Sequence, residues 1–319
     1  MRFRVAARVG LIVALGALLT WAAPQPPTDA ALVQDTIRVA VIGDYGAAER
    51  NPAEGVSEAS VAALVAGWMP DYVVTTGDNN YPDGAAQTID ANIGQFYHGF
   101  IYPYTGTYGT GAPGGVNRFF PSLGNHDYLT GNAQPYVDYF TLPGNERYYD
   151  FQSGPIHWFM VDADPILRGV EISATQALWL EQGLAASTAP WQMVVMHQAP
   201  LSSGLHGSYP ELQWPYTAWG AEAVFAGHDH DYERILRDGI VYFVNGSGGA
   251  TLYPLGPPFT QPIAGSQVTY WGQHGAMLIE ASDSHITFQF INTSGVVVDT
   301  YQIGVPAEAH LVWLPALQR

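Results

Sequence analysis

Apolar residues in this chain come in short runs separated by turns rich in Gly, Asn, Asp and Pro, and the period of the runs changes along the sequence. Residues 37–42 (IRVAVI) are β-branched and almost unbroken, the pattern of a strand covered on both faces. Residues 56–69 repeat at helical spacing and stop at Pro70, and residues 72–76 are strand-like again, so the chain opens as β-α-β. Short apolar runs follow at 119–123, 193–196 and 223–226. Residues 148–151 and 158–161 flank Ser153-Gly154-Pro155 as a hairpin, and Ser173-x-x-Gln176 reads as a capping box that opens a helix to about Ala186. From Ile240 onward strands alternate with Gly/Ser/Pro turns, in the runs IVYFV, AMLIEA, HITFQF and VVVDTYQI. The front half is therefore α/β and the back half β-rich, with no repeat of fixed period. Residues 85–117 and 200–216, dense in Gly, Tyr and Pro, are expected to be loops or insertions, and long loops in a compact domain often carry function.

The ends differ from the middle. Arg2, Arg4 and Arg8 precede a charge-free run, VGLIVALGALLTWAA at residues 9–23. A basic start followed by a short apolar stretch is the pattern of a secretory signal peptide, here ending after Ala22. The run is shorter than the roughly 18–20 residues of a membrane span, so no stable span is expected once it is removed. Retention as an uncleaved anchor is the alternative. The expected organisation is a signal peptide over 1–22, a linker over 23–35, one folded domain over 36–305 and a tail over 306–319. Such a protein is secreted or periplasmic.

Composition narrows the chemistry. Of 319 residues 47% are hydrophobic and only 12% charged, which is a globular and not a disordered balance. All 11 basic residues are arginine, so P-loop lysine, Schiff-base and pyridoxal-phosphate chemistry are excluded. With 0 cysteines there is no thiol nucleophile, disulfide, iron–sulfur cluster or Cys-ligated zinc. The net charge of −17, more negative once three arginines leave with the leader, disfavours nucleic acid and anionic membrane as partners.

What stands after each expected strand carries the chemistry. The first leads into Gly43-Asp44-Tyr45-Gly46, the second into Gly77-Asp78-Asn79-Asn80-Tyr81 and the third into Gly124-Asn125-His126-Asp127. The next two lead into His197 and into Gly227-His228-Asp229-His230. Most of these loops begin with a glycine, which permits a sharp turn. Open α/β sheets bind ligands at the carboxyl ends of their strands. Two Asp, one Tyr, one Asn and three His converging there suit a metal site. Seven side chains exceed what one ion takes while leaving room for substrate, which points to two ions roughly 3.5–4 Å apart if one carboxylate bridges. Hard oxygen donors with a phenolate favour a trivalent ion, and an Asn/His set favours a divalent one.

These blocks resemble the calcineurin-like metallophosphoesterases and, within them, the purple acid phosphatases, including the tartrate-resistant type. The family pattern is G-D-x, G-D-x-x-Y, G-N-H-[DE], a lone His after a strand, and G-H-x-H. All five occur in order from Gly43 to His230, and the likeness continues weakly through Asn245–Ala250 (NGSGGA). The resemblance implies an α/β fold, a four-layer α/β/β/α sandwich of two mixed β-sheets flanked by helices, as the catalytic domain over 36–305. It also implies that Asp44, Tyr81 and His230 hold a ferric ion, that Asp78 bridges, and that Asn125, His197 and His228 hold a divalent ion of Fe, Zn or Mn. The wider family has D-x-H in its first block. Gly46 stands where that His would be, and Tyr81 supplies the missing ligand, which implies a visible tyrosinate-to-iron charge-transfer band.

The implied activity is hydrolysis of small phosphomonoesters by attack of a metal-bound hydroxide. His126 is expected to contact the phosphate and protonate the leaving alkoxide, Asp127 to orient that imidazole, and His206 to act as a second substrate-side histidine. A phosphodiesterase or nucleotide hydrolase on the same metals is the alternative, with residues 85–117 and 200–216 choosing by shape. A non-catalytic phosphate-binding surface protein on the same fold is the other, and retention of all seven ligands counts against it. Nothing in the sequence sets an oligomeric state. Asp229, Asp231 and Glu233 read as solvent-facing or structural, with Arg234 as their partner. Asn245-Gly246-Ser247 and Asn292-Thr293-Ser294 are glycosylation sequons in a eukaryotic host.

Overall fold

The first apolar run forms strand β1 (Ile37–Ile42), parallel to β2 (Tyr72–Thr75), which is parallel to β3 (Phe119–Pro121). On its other side β1 runs antiparallel to β11 (Gly275–Ala281), followed outward by β12 (His285–Asn292) and β13 (Val297–Gly304). A second sheet contains seven strands. Its parallel centre is β5 (Ile156–Met160), β6 (Trp191–Val195), β7 (Ala223–Ala226) and β9 (Ile240–Asn245). Antiparallel β4 (Tyr149–Ser153) flanks it on one side, and β8 (Tyr232–Arg237) with β10 (Ser266–Tyr270) on the other. These features come from a computed structural model, which describes residues 36–167 and 172–304. The expected leader at 1–22, the linker up to Gln34 and Asp35, and the tail at 306–319 lie outside the described residues. Among the described residues no helix is long and apolar enough to cross a membrane.

The two sheets pack face to face. Val39, Val41, Val73, Met277, Ile279 and Phe288 of the first share one buried cluster with Trp158, Met193, Val195, Phe225 and Phe243 of the second. Phe288 sits 6.0 Å from Phe225 and 5.1 Å from Phe243, ring centre to ring centre. Polar groups trapped between the layers pair across them, as burial demands. Trp158 Nε1 donates to Tyr72 Oη (2.9 Å), Trp191 Nε1 to the Ser282 carbonyl (2.6 Å) and Asn245 Nδ2 to the Val41 carbonyl (2.9 Å). The helix Pro52–Trp68 covers the first sheet with Val61 and Val65, and the helix Ile172–Ala186 covers the second with Leu180 and Leu184 against Phe159 and Val161. The layer order is therefore the α/β/β/α sandwich that the motifs implied.

Several expected boundaries move, each for a local reason. The first helix begins at Pro52 and not at residue 56, because Asn51 caps it by accepting from the Ala53 and Glu54 amides, with proline in the first turn. Residues 85–117 are not all loop. Ala86–Ile89, Asp90–Gly94, Gln95–Tyr97 and His98–Phe100 form a continuous helical stretch, and Ile89, Ile93 and Tyr97 bury an apolar stripe hidden among Gly and Asn. The expected capping box turns on the side chain of Ser173, which lies outside the described residues, whereas Gln176 is described. Its buried amide clamps the Asp162 backbone, accepting from the N–H and donating to the carbonyl, both at 2.9 Å. Strands β8 and β10 had no reading as strands, since acidic residues interrupt the first and polar residues the second. Residues 200–216 are largely irregular, as expected, with one short turn of helix at Pro210–Leu212.

Candidate metal centre

Loops from the carboxyl ends of β1, β2, β3, β6 and β7 meet at one rim of the sandwich, where parallel strands of both sheets end. Three of the expected ligands hold left-handed backbone: Asp44 (φ 54°), Asp78 (φ 50°) and His228 (φ 71°). A non-glycine residue pays for such a conformation, and strain of this kind collects at functional sites. The preceding glycines serve a different purpose from the sharp turns expected of them. Of Gly43, Gly77, Gly124 and Gly227, only Gly77 has a positive φ (95°). What they supply is room. A Cβ at Gly124 would lie 2.2 Å from Asp78 Oδ1, one at Gly227 2.4 Å from Asp44 Oδ2, and one at Gly77 2.7 Å from the His197 ring.

The seven side chains gather into two groups joined at one atom. In the first, Tyr81 Oη lies 3.2 Å from Asp44 Oδ1 and 3.1 Å from His230 Nε2, which is 3.4 Å from Asp44 Oδ1. In the second, His197 Nε2 lies 3.1 Å from Asn125 Oδ1 and 3.2 Å from His228 Nδ1. Asp78 Oδ2 is 3.0 Å from Tyr81 Oη and 3.2 Å from His197 Nε2, so it faces both. One ligand atom each from Asp44, Asp78 and His197 falls within 4.8 Å of the other two, and all three residues are buried.

The outward atoms of these side chains are already engaged. His197 Nδ1 donates to the Thr76 carbonyl (2.9 Å) and His230 Nδ1 to the Thr251 carbonyl (2.8 Å), so that both Nε2 atoms are turned inward. His228 is reversed: Nε2 meets Tyr209 Oη at 2.8 Å and Nδ1 faces the centre. The His228 amide holds Asp44, and the His126 amide holds Asp78 Oδ1 at 2.9 Å, so each loop steadies the carboxylate of another. Polar atoms of two carboxylates, a phenol, an amide and three imidazoles thus converge on one place. That donor set fits cations, with hard oxygen donors concentrated on one side and nitrogen on the other.

Protonation follows the same crowding. Burial opposes the charged form of Asp78, yet His197 and His126 outweigh it and hold the carboxyl well below the usual range. Burial also disfavours His197 as a cation, and Asp78 overrides it, with help from Asp44, lifting the imidazole to about 10. His228 goes the other way: burial first, then His197 and His206, push it down to about 2, so its nitrogen stays available as a ligand. Burial, Asp78 and Asp44 raise the Tyr81 phenol well above 10.0. A bound cation inverts that last balance, because its charge favours the phenolate.

His126 stands at the edge, its Nδ1 bonded to the Pro82 carbonyl and its Nε2 4.0 Å from Asp78 Oδ2. Its ring leans on Tyr81, with centres 4.5 Å apart. His206 is exposed and packs on His228 at 4.1 Å, which brings it to the same rim. Asp127 does not orient His126. Its carboxylate is buried and turned inward, accepting from the Gly124 amide (2.9 Å), the Asn79 amide (3.1 Å) and Asn79 Nδ2 (2.8 Å). It ties the third site loop to the second.

Asp229, Asp231 and Glu233 are buried and not solvent-facing. Asp229 binds Ser202 Oγ and the His206 amide, and Glu233 binds Ser203 and Ser266. Arg234 pairs with Asp299 across the two sheets, at 2.7 Å, and with none of those three acids. Neither sequon presents its asparagine. Asn245 and Asn292 are 1% and 6% exposed, and their side chains bond to Val41 and to Tyr270, Ser294 and Val296. Tyr209, Thr76 and Thr251, which fix the ligand rings, had no motif to mark them, and Tyr253, stacked on His230 at 4.1 Å, was equally silent.

The calcineurin-like phosphoesterase model matches residues 37–232. Purple acid phosphatase 4 of Arabidopsis thaliana is 26% identical over 317 residues, spanning 87% of this chain and 88% of that protein. Tartrate-resistant acid phosphatase type 5 of Rattus norvegicus is 24% identical over 246 residues, 67% of this chain and 72% of its own. Among solved structures, purple acid phosphatase PPD1 from yellow lupin (Lupinus luteus) seeds superposes with a TM-score of 0.66 at 20% identity, covering 85% of this chain and 54% of that one. This chain belongs to the calcineurin-like phosphoesterases, and purple acid phosphatases are among its relatives.

Proposed function

We propose that this chain is a secreted or periplasmic dinuclear metal-dependent phosphatase that hydrolyses small phosphomonoesters. The observation that carries the reading is the position of Asp78 Oδ2, within 3.2 Å of both donor groups. In this reading Asp44, Tyr81 and His230 hold a ferric ion, and Asn125, His197 and His228 hold a divalent ion of Fe, Zn or Mn. Asp78 bridges them. The metals would supply an activated water and the positive charge that draws phosphoryl oxygens to an acidic protein.

The chain's own residues do the rest. Asp44, Asp78 and ionised Tyr81 offset part of the metal charge. His126, with Nδ1 held by Pro82, presents Nε2 to the rim, where it holds the proton that a leaving alkoxide needs. His206, packed on His228, is placed to meet the substrate from that flank. Rates of phosphate release from an aryl monoester and an aryl diester by the metal-loaded protein test the substrate class. The monoester should have the larger kcat/KM, and a larger value on the diester overturns that part of the reading.

A further inference from the structure

Arg50, two residues ahead of the helix Pro52–Trp68, stands with its guanidinium carbon 4.8 Å from the centre of the Tyr81 ring. Its Nε and Nη2 both bond to the Glu54 carboxylate. Glu54 is itself only 3% exposed, and its Oε1 accepts from the Thr251 amide (3.0 Å) and hydroxyl (2.6 Å). The Thr251 carbonyl in turn takes the Nδ1–H of His230 at 2.8 Å. One cation and one acid at the start of a helix thus reach two of the three residues of the first donor group, Tyr81 through its ring face and His230 through one backbone link. A cation and an acid four residues apart in sequence meet readily, and an exposed pair of that kind is weak. That accounts for Arg50 meeting Glu54. It does not account for a guanidinium laid on a buried tyrosine whose oxygen faces two aspartates.

We propose that Arg50 is a positioning residue that sets the electronic character of the Tyr81 phenolate, with Glu54 moderating its charge. The inference rests on the reading of Tyr81 as an iron ligand. A cation over an aromatic face is attracted by the ring, and more so when the ring carries the negative charge of a phenolate. A positive charge there lowers the energy of the phenolate electrons. The charge-transfer transition, which moves one of them onto the ferric ion, then takes more energy and falls at shorter wavelength. The same charge disfavours the ferric state relative to the ferrous one.

The test compares iron-loaded wild type with Arg50→Gln, Arg50→Lys and Glu54→Gln by visible spectrum, iron content and redox titration with mediators. In Arg50→Gln the band should move to longer wavelength, and the ferric-to-ferrous ratio at a fixed potential should rise roughly tenfold, the scale of one partly screened charge at this distance. Glu54→Gln keeps the oxygen that Thr251 needs and leaves Arg50 unopposed, so its band should move the opposite way. Arg50→Lys should stay near wild type. A merely structural pair would shift both glutamine variants in the same direction or neither, and either result overturns the proposal. If Arg50→Gln fails to hold iron, Glu54→Gln decides alone, an unmoved band counting against. A wild type without a visible band refutes the Tyr81 reading itself, which is a different failure from a normal band that ignores Arg50.

Discussion

The hydroxyl of Tyr209 lies 2.8 Å from Nε2 of His228, on the opposite side of the ring from Nδ1, which faces His197 at 3.2 Å. In the proposed reading His228 gives Nδ1 to a metal, its other nitrogen then needs a partner, and a phenol takes the place usually filled by a carbonyl or carboxylate. Tyr209→Phe keeps the ring and removes the bond. Affinity for the divalent ion should fall about 10–100-fold while the Tyr81 side keeps its iron. Metal titration of the variant checks this, and an unchanged affinity for both ions would show that His228 does not need Tyr209.

Gly77 tests the idea that the loop glycines make room. Its φ is 95°, and an added Cβ would fall 2.7 Å from the His197 ring. Gly77→Ala should cost about 1–3 kcal/mol and displace His197, lowering metal content. Gly67→Ala is the control, since its methyl meets nothing within 4 Å in a helix, and should stabilise by about 0.4–1 kcal/mol. Denaturant unfolding of the two variants, with metal analysis, separates crowding from a general intolerance of alanine.

His126→Ala should lower kcat on a phosphomonoester about 10²–10⁴-fold, the usual worth of a positioned general acid, and leave metal content near that of wild type. Its side chain touches the site only at the edge, with Nδ1 on the Pro82 carbonyl. Parallel loss of metal and rate would assign His126 a structural part.

Glu58 gives stability a pH dependence. It is buried beneath the first site loop, where Oε2 accepts from the Ala47 and Ala48 amides at 3.0 and 2.8 Å. Burial pushes its carboxyl well above 4.5, and the two amides pull it back only in part. A group raised on folding contributes stability that is full below its unfolded value and is lost as pH climbs through its folded value. Glu58→Gln cannot ionise. The variant should therefore gain on wild type as pH rises from about 4 to about 7, read as the difference in unfolding midpoints. A gap that stays constant over that range would remove Glu58 as the cause.

Most of the sandwich was legible because its central strands are buried on both faces. Residues 39–42, 223–226 and 240–244 are unbroken apolar runs that no amphipathic helix imitates. Strand β8 was hidden because Glu233 and Arg234 stand inside it, and both find buried partners only in the folded chain. The site was legible as residue types at strand ends. What each contact does was not, since Asp127 beside His126 in sequence turns to Asn79 in space. Arg50, Tyr209 and Thr251 join the site through long-range packing, for which a single sequence carries no period.

The central claim is that two metals share Asp78, one of them held through the Tyr81 phenolate. Metal analysis of the purified protein together with its visible spectrum tests it most directly. The account predicts two metal ions per chain, at least one of them iron, and a broad visible band that disappears in Tyr81→Phe. An iron-loaded protein that stays colourless after oxidation, or that binds a single ion per chain, would contradict it.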